Sequence, residues 1–190
     1  MTPLAPWLNA SFAHLIHAEK LFRDPSDFAR RSALSAFDNG VETFIGGYLQ
    51  QKPFQRGGRS YPRDDVAGWM RNYHTRIEFL EQELQARGLE WKVPKEHILW
   101  AHTERNEHLH NPKGIPERGV IEVIREAALW VFAVLFDVPD IEARLNAALD
   151  DEEPPANAQK PTPEPDTPEN SGSGAAAGDA TDSRQTKGEQ

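Results

Sequence analysis

The sequence predicts an all-α protein: an up-and-down helical bundle over residues 1–150, followed by a disordered tail over residues 151–190. Apolar residues before residue 150 recur at intervals of three and four, which is the period of a helix with one buried face. No stretch shows the strict alternation of a half-buried strand. Residues 151–190 contain no aromatic or large aliphatic side chain. They cannot bury enough apolar surface to offset the entropy lost on ordering.

The first two predicted helices are separated by a short turn. The first covers about residues 7–22 and has its apolar stripe on one face. The second starts near Asp24, which can cap it, and Pro25, which suits the first helical position. Asp27 favours the first turn, where a negative charge complements the helix dipole. The apolar stripe of the second helix consists of Leu34, Phe37, Val41, Ile45 and Leu49.

A loop punctuated by glycine and proline follows, from Gln50 to Arg63. One continuous third helix is predicted from Asp64 to Arg87, with Gly88 as its stop. Its stripe is the most regular in the chain and consists of Val66, Met70, Tyr73, Ile77, Leu80 and Leu84.

Prolines mark the remaining helices. Pro94 opens a fourth helix, which is expected to end at the residue before Pro112. Pro116 opens a fifth, in which Val120–Phe136 is apolar at 14 of 17 positions. A helix so apolar is either central to the core or part of a subunit interface. Pro139 stands near the start of a short sixth helix, whose apolar residues are Ile141, Leu145 and Leu149.

Composition limits the kinds of chemistry that the chain can perform. It contains no cysteine, which excludes disulfides, thiolate metal sites and a cysteine nucleophile. The longest apolar run, Ala127–Phe136, has ten residues, whereas a membrane-spanning helix needs roughly 20. No signal peptide is evident, so a cytoplasmic location is expected. Of the net charge of −9, the tail carries −6, from nine acidic and three basic residues. A local basic patch on the remainder is still compatible with RNA binding.

The fourth helix departs from the apolar pattern where an inward face is expected. Its two inward rows begin apolar and then become mostly polar: Ile98, His102, Arg105, Leu109, and Leu99, Asn106, His110. Burying polar groups without partners is costly, so such side chains usually have partners or a function. This helix is therefore where a functional site is expected.

Residues 105–110, RNEHLH, fit the R-N-x-x-x-H motif of HEPN domains, and Asn111 and Pro112 follow as a helix exit. Two long helices precede the motif and a long apolar helix follows it. Over residues 7–136 the chain resembles this family of helical bundles. The resemblance implies a homodimer in which two copies of the motif line one cleft.

Many members of this family are metal-independent endoribonucleases of toxin–antitoxin and phage-defence systems. By this resemblance Arg105 and His110 are catalytic and Asn106 supports them, with no cofactor and no metal. The expected partners are RNA, a second copy of the chain and an antitoxin or defence-system protein, with no membrane contact. The residue types suit the reaction, because histidine exchanges protons near neutral pH and the guanidinium fork matches phosphate oxygens.

Three alternatives stay open. Arg105 can be a structural residue that pairs with Asp38 or Glu42 of the second helix, four residues apart on one face. These two carboxylates, with His102, can equally support a catalytic Arg105. The whole domain can also be a non-catalytic interaction module. A metal-dependent hydrolase is the remaining alternative, since His97, His102, Glu104, His108 and His110 share one helix. His97, His102 and His108 are separated by five and six residues, which does not match the i, i+4 spacing of zinc ligands, and Glu104 and His108, four apart, are more simply a surface pair.

The loop after the second helix is a second candidate contact with RNA. Its cations, Lys52, Arg56, Arg59 and Arg63, can engage phosphates. Phe54 and Tyr61 are available to stack on bases. The alternative is an ordinary solvated loop.

Overall fold

The computed structural model describes residues 3–110 and 114–152, and over these ranges the chain is helical, with no strand. Its seven α-helices are α1 (Asn9–Arg23), α2 (Asp27–Gln50), α3 (Arg63–Trp69), α4 (Tyr73–Arg87), α5 (Lys95–His110), α6 (Arg118–Phe136) and α7 (Ile141–Glu152). Two short 3-10 turns, Pro6–Leu8 and Pro53–Arg56, complete the described structure. The all-α helical bundle is confirmed. The predicted tail lies outside the described residues from 153 onward.

Helices α2 and α6 form the centre of the bundle and pack closely against each other. Helix α1 packs on α2, α5 lies against both α2 and α6, and α7 covers α1 and α6. The five predicted stripe residues of α2 are all buried, as are most of the apolar side chains of α6. The apolar α6 is therefore the core helix of a single chain, which was one of its two predicted roles.

Two helix starts differ from the prediction, and in α2 a local hydrogen bond accounts for the difference. Helix α2 begins at Asp27, and its cap is Ser26, whose hydroxyl accepts from the Ala29 amide at 3.2 Å. Asp24 instead accepts from the Ser26 amide at 2.8 Å. Helix α6 begins at Arg118, two residues after the proline that was expected to open it.

The predicted third helix is two helices, and this prediction was wrong. The chain leaves the helix after Trp69 and restarts at Tyr73. Asn72 and Thr75 form a reciprocal cap: the Asn72 side chain accepts from the Thr75 amide, and the Thr75 hydroxyl accepts from the Asn72 amide. Such a cap satisfies backbone donors that have no partner in the first turn, and so it stabilises a new helix start. The restart places Tyr73 at the first position of α4, beside α5.

Candidate active site on helix α5

Helix α5 changes character halfway along. Ile98 and Ala101 are buried and hold its first half in the core. Beyond them, His102, Arg105 and Asn106 stand on the face toward α2 and are only partly buried. The polar interruption that the sequence showed is therefore a polar cluster between α5 and α2.

Asp38 of α2 is the centre of this cluster and has no exposed side-chain surface. Its carboxylate accepts a hydrogen bond from His102 Nδ1, at 2.9 Å to Oδ2 and 3.1 Å to Oδ1. Arg105 Nε lies 3.6 Å from the same Oδ2 and forms an ion pair. A buried carboxylate costs several kcal/mol unless such partners compensate it. His102 and Arg105 therefore stabilise the charge of Asp38.

The hydrogen bonds fix the proton positions in the cluster. Arg105 has only donors, and it donates from Nη1 to Asn106 Oδ1 at 2.8 Å and from Nη2 to Asn39 Oδ1 at 2.7 Å. The amide nitrogen of Asn106 must then face His102 Nε2, 3.2 Å away. Because that nitrogen is a donor, His102 Nε2 accepts and Nδ1 carries the proton that is donated to Asp38. Both ring nitrogens of His102 are engaged within the protein.

Tyr73 closes one side of the cluster. Its ring stacks on the His102 ring with a centroid distance of 3.7 Å and an interplanar angle of 12°. Its hydroxyl is buried and makes no hydrogen bond of good geometry within the part of the chain that the structure describes. Burial, followed by the negative charge of Asp38, raises the pKa of Tyr73 well above 10.0. The phenol therefore stays neutral and fixes the plane of the His102 ring.

Sequence reasoning missed two residues of this cluster. Tyr73 was predicted only as a core residue, since its position on the apolar stripe does not indicate that its ring stacks on His102. Asn39 follows Asp38 directly, and that adjacency is its only sequence signal. Glu42 was expected near Arg105, but its carboxylate pairs with Arg76 Nη1 of α4 at 2.9 Å. Arg76, rather than Arg105, pairs with Glu42 because α4 also packs on α2.

His110 is the last residue of α5 and is exposed. It makes no hydrogen bond or ion pair with any residue in the described ranges. It follows Asn106 by four positions, which is about 6 Å along the helix axis and on the same face. The structure thus brings Arg105, Asn106, His102 and Asp38 together, and it leaves His110 available to solvent next to them.

The histidines of α5 do not converge on a metal site. The His108 ring pairs with Glu104, with Nε2 4.0 Å from Oε2. Over residues 3–110 and 114–152, no three histidine or carboxylate side chains are arranged to hold a metal ion.

The predicted basic loop separates into two kinds of cation. Lys52 and Arg63 are exposed. Arg56 is buried, and Arg59 is ion-paired with the buried Glu83, with Nε 3.1 Å from Oε1. Of the four predicted RNA-binding cations, one is therefore buried and another is ion-paired with a different part of the fold.

The fold and the cluster together define a class: a helical bundle in which a buried aspartate on one helix holds a partly exposed His–Asn–Arg network on another. No helix within the described residues combines the length and apolarity needed to cross a membrane. Comparison with protein-family models, with curated proteins and with solved structures found no match to this chain.

Proposed function

We propose that this protein is a metal-independent endoribonuclease of the toxin–antitoxin or phage-defence type. Arg105 holds the scissile phosphate, His110 transfers protons and Asn106 supports Arg105. The observation that supports this best is the state of the Arg105 guanidinium. Three neighbouring oxygens orient it, yet its side chain keeps 21% of its surface exposed. One N–H on each Nη remains for phosphate oxygens, because a guanidinium has five donors.

Cleavage needs no metal if the cation and the proton carrier are both in place. The 2′-hydroxyl loses its proton and its oxygen bonds to phosphorus, while the bond from phosphorus to the 5′-oxygen breaks and that oxygen gains a proton. Arg105 balances the negative charge that develops on the phosphate. His110 suits one of the two proton transfers because imidazole exchanges protons near neutral pH. The products are a 2′,3′-cyclic phosphate and a 5′-hydroxyl.

Cleavage needs two proton transfers, and each chain contributes one His110. A homodimer therefore supplies the second proton carrier. The surface that supports dimerisation lies around the end of α5. Arg31 Nε donates to the Gly114 carbonyl at 3.0 Å, which joins the start of α2 to the segment after α5. Phe28, Leu109 and Ile115 are large apolar side chains that stay exposed in these segments. Exposed apolar side chains of this size suit a protein interface. A second copy docking here brings two α5 ends together.

The test is incubation of the purified protein with RNA in EDTA, beside Arg105→Lys and His110→Ala. Arg71→Lys and His97→Ala are matched controls, since both residues are exposed. We expect the wild type and both controls to cleave and to leave 2′,3′-cyclic ends. His110→Ala should slow cleavage by about a hundredfold or more, the usual contribution of a general acid or base. Arg105→Lys should also be impaired, because lysine keeps the charge but loses the fork. Wild-type rates in His110→Ala contradict the proposal.

A non-catalytic interaction module is the second candidate, and one observation favours it. Arg105 has an ion pair with Asp38 and amide partners on both terminal nitrogens, as a structural arginine does. The two functions differ in one outcome. A folded dimer of the wild type that leaves RNA intact, both in EDTA and with Mg²⁺, supports the module. The absence of a dimer argues against the cleft that the nuclease requires.

A further inference from the structure

The loop between α2 and α3 contains a compact turn. Pro53–Arg56 forms a 3-10 turn, and the Gly58 amide closes it by donating to the Pro53 carbonyl at 2.8 Å. Gly57 and Gly58 both have positive φ, 62° and 87°, which glycine adopts readily. This turn leaves the ring of Phe54 70% exposed.

The exposed Phe54 ring has an aromatic neighbour from the N-terminal segment. Trp7 is 47% exposed, and its ring meets Phe54 edge to face at 6.4 Å and 82°. Two large rings that touch each other in solvent form an apolar surface at which a flat aromatic ligand can stack.

A cluster of arginines lies behind this turn and gathers around one carboxylate. Glu83 is buried and accepts from the hydroxyls of Tyr48 and Tyr61, at 3.3 and 2.6 Å. It also pairs with Arg87 Nε at 2.6 Å and Arg59 Nε at 3.1 Å. The single carboxylate of Glu83 therefore already pairs with two guanidinium groups, those of Arg59 and Arg87.

Arg56 adds a third positive charge. Its guanidinium carbon lies 4.8 Å from the centroid of the Tyr61 ring and 6.0 Å from that of Tyr48. The residue is 9% exposed, and its Nε and Nη1 are buried with no hydrogen-bond partner among the described residues. Burial and the hydrogen bond to Glu83 raise the pKa of Tyr61, so the phenol is neutral and offers no balancing charge. Arg59 and Arg87 thus share the carboxylate of Glu83, and Arg56 pairs with no carboxylate among residues 3–110 and 114–152, so this group of three guanidiniums and one carboxylate carries excess positive charge.

We propose that Trp7, Lys52, Phe54 and Arg59 form an aromatic–basic surface that binds single-stranded RNA, with the buried Arg56 behind it. Bases stack on the two exposed rings. Phosphates lie near the exposed Lys52 and the half-buried Arg59, in the field of the excess charge behind the turn. A single strand fits better than a duplex, because paired bases hide their faces from the rings. The local charge matters here since the chain as a whole carries −9 and repels a polyanion.

This surface extends the proposed ribonuclease by giving the substrate a second point of contact, built from residues outside the Arg105–His110 motif. RNA as the ligand rests on that proposed function. The binding itself can be measured without cleavage.

The test is fluorescence anisotropy with a labelled 2′-O-methyl oligonucleotide, which lacks the 2′-hydroxyl nucleophile and stays intact. Phe54→Ala and Trp7→Ala should each raise the Kd about fivefold to a hundredfold, the range measured for loss of one stacked base. Lys52→Gln should weaken binding and lower the dependence of log K on log salt by about 0.7, the contribution of one phosphate contact in a single strand. Duplex RNA should compete poorly.

Trp100→Ala and Arg71→Gln are the matched controls, an exposed ring and an exposed cation elsewhere on the surface. Both should bind like the wild type. The proposal is overturned if the wild type does not bind the oligonucleotide, or if Phe54→Ala and Lys52→Gln bind it unchanged. If the protein binds RNA through this surface but cleaves none, the proposed nuclease activity is wrong and the proposed binding surface is supported. If the protein cleaves RNA but its binding does not depend on these residues, the nuclease is supported and the binding surface is wrong.

Discussion

Replacing Asp38 by asparagine tests whether the buried carboxylate holds the candidate site together. The amide oxygen of asparagine can still accept from His102 Nδ1, so one hydrogen bond survives in a neutral form. A charge-assisted bond contributes about 1.5–3 kcal/mol and a neutral one about half of that. The loss at His102 is therefore about 1 kcal/mol. Arg105 loses its ion pair at 3.6 Å, which partial exposure to solvent limits to about another 1 kcal/mol.

We expect Asp38→Asn to lower the free energy of unfolding by about 2 kcal/mol, compared with the 3–5 kcal/mol typical of a buried ion pair that loses one partner outright. The melting temperature should fall by about 4–8 °C for a chain of this length. Urea unfolding followed by circular dichroism measures the effect as a lower midpoint with an unchanged m value. Asp150→Asn, an exposed position on α7, is the matched control and should unfold like the wild type.

A double-mutant cycle with His102→Gln then isolates the contact between the two residues. Because the side chains touch, the two changes should couple by about 1 kcal/mol, whereas independent changes add within about 0.5 kcal/mol. Wild-type stability in Asp38→Asn, or strict additivity in the cycle, refutes the view that Asp38 organises the cluster.

The remaining predictions concern pH and assembly. The raised pKa of Tyr73 means that the folded protein retains a proton that the unfolded chain releases near pH 10.0. The free energy of unfolding should therefore be constant below that pH and fall above it, and Tyr73→Phe should reduce the fall. Urea midpoints between pH 8 and 11 measure this. An identical dependence of the midpoint on pH in the variant contradicts the burial argument. Phe28→Asp should weaken the proposed dimer, because it places a charge on an apolar contact. Analytical ultracentrifugation should show a shift toward monomer, and a dimer of unchanged affinity would place the interface elsewhere.

The helical core follows from the sequence because apolar spacing is enough to specify it. In α2 every residue of the stripe from Leu34 to Leu49 is buried. The break before α4 is not predictable in the same way, since Met70 and Tyr73 continue the apolar period across it. The break depends instead on the cap between Asn72 and Thr75. A local hydrogen-bonded alternative there outweighs a periodic pattern.

The position of the candidate site was predictable, but its internal contacts were only partly so. Polar residues on the inward face of α5 marked the place. Which carboxylate they meet depends on the packing of α5 against α2, and the sequence offered Asp38 and Glu42 equally. The structure assigns Asp38 to Arg105 and leaves Glu42 to Arg76. The engagement of Arg59 with Glu83 had no sequence signal, because the pair is joined only by the fold.

The polar cluster between α5 and α2 costs free energy of folding that an apolar contact between the same two helices would avoid. Apolar residues at positions 102 and 105 would pack against α2 without the desolvation of a carboxylate, and buried ion pairs are often no more stabilising than such packing. The cluster does orient one cation, Arg105, which keeps 21% of its side-chain surface exposed, close along α5 to the exposed imidazole of His110. Geometry fixed in advance is what an enzyme needs to stabilise charge that develops during a reaction. For this reason the cluster favours the nuclease over the interaction module.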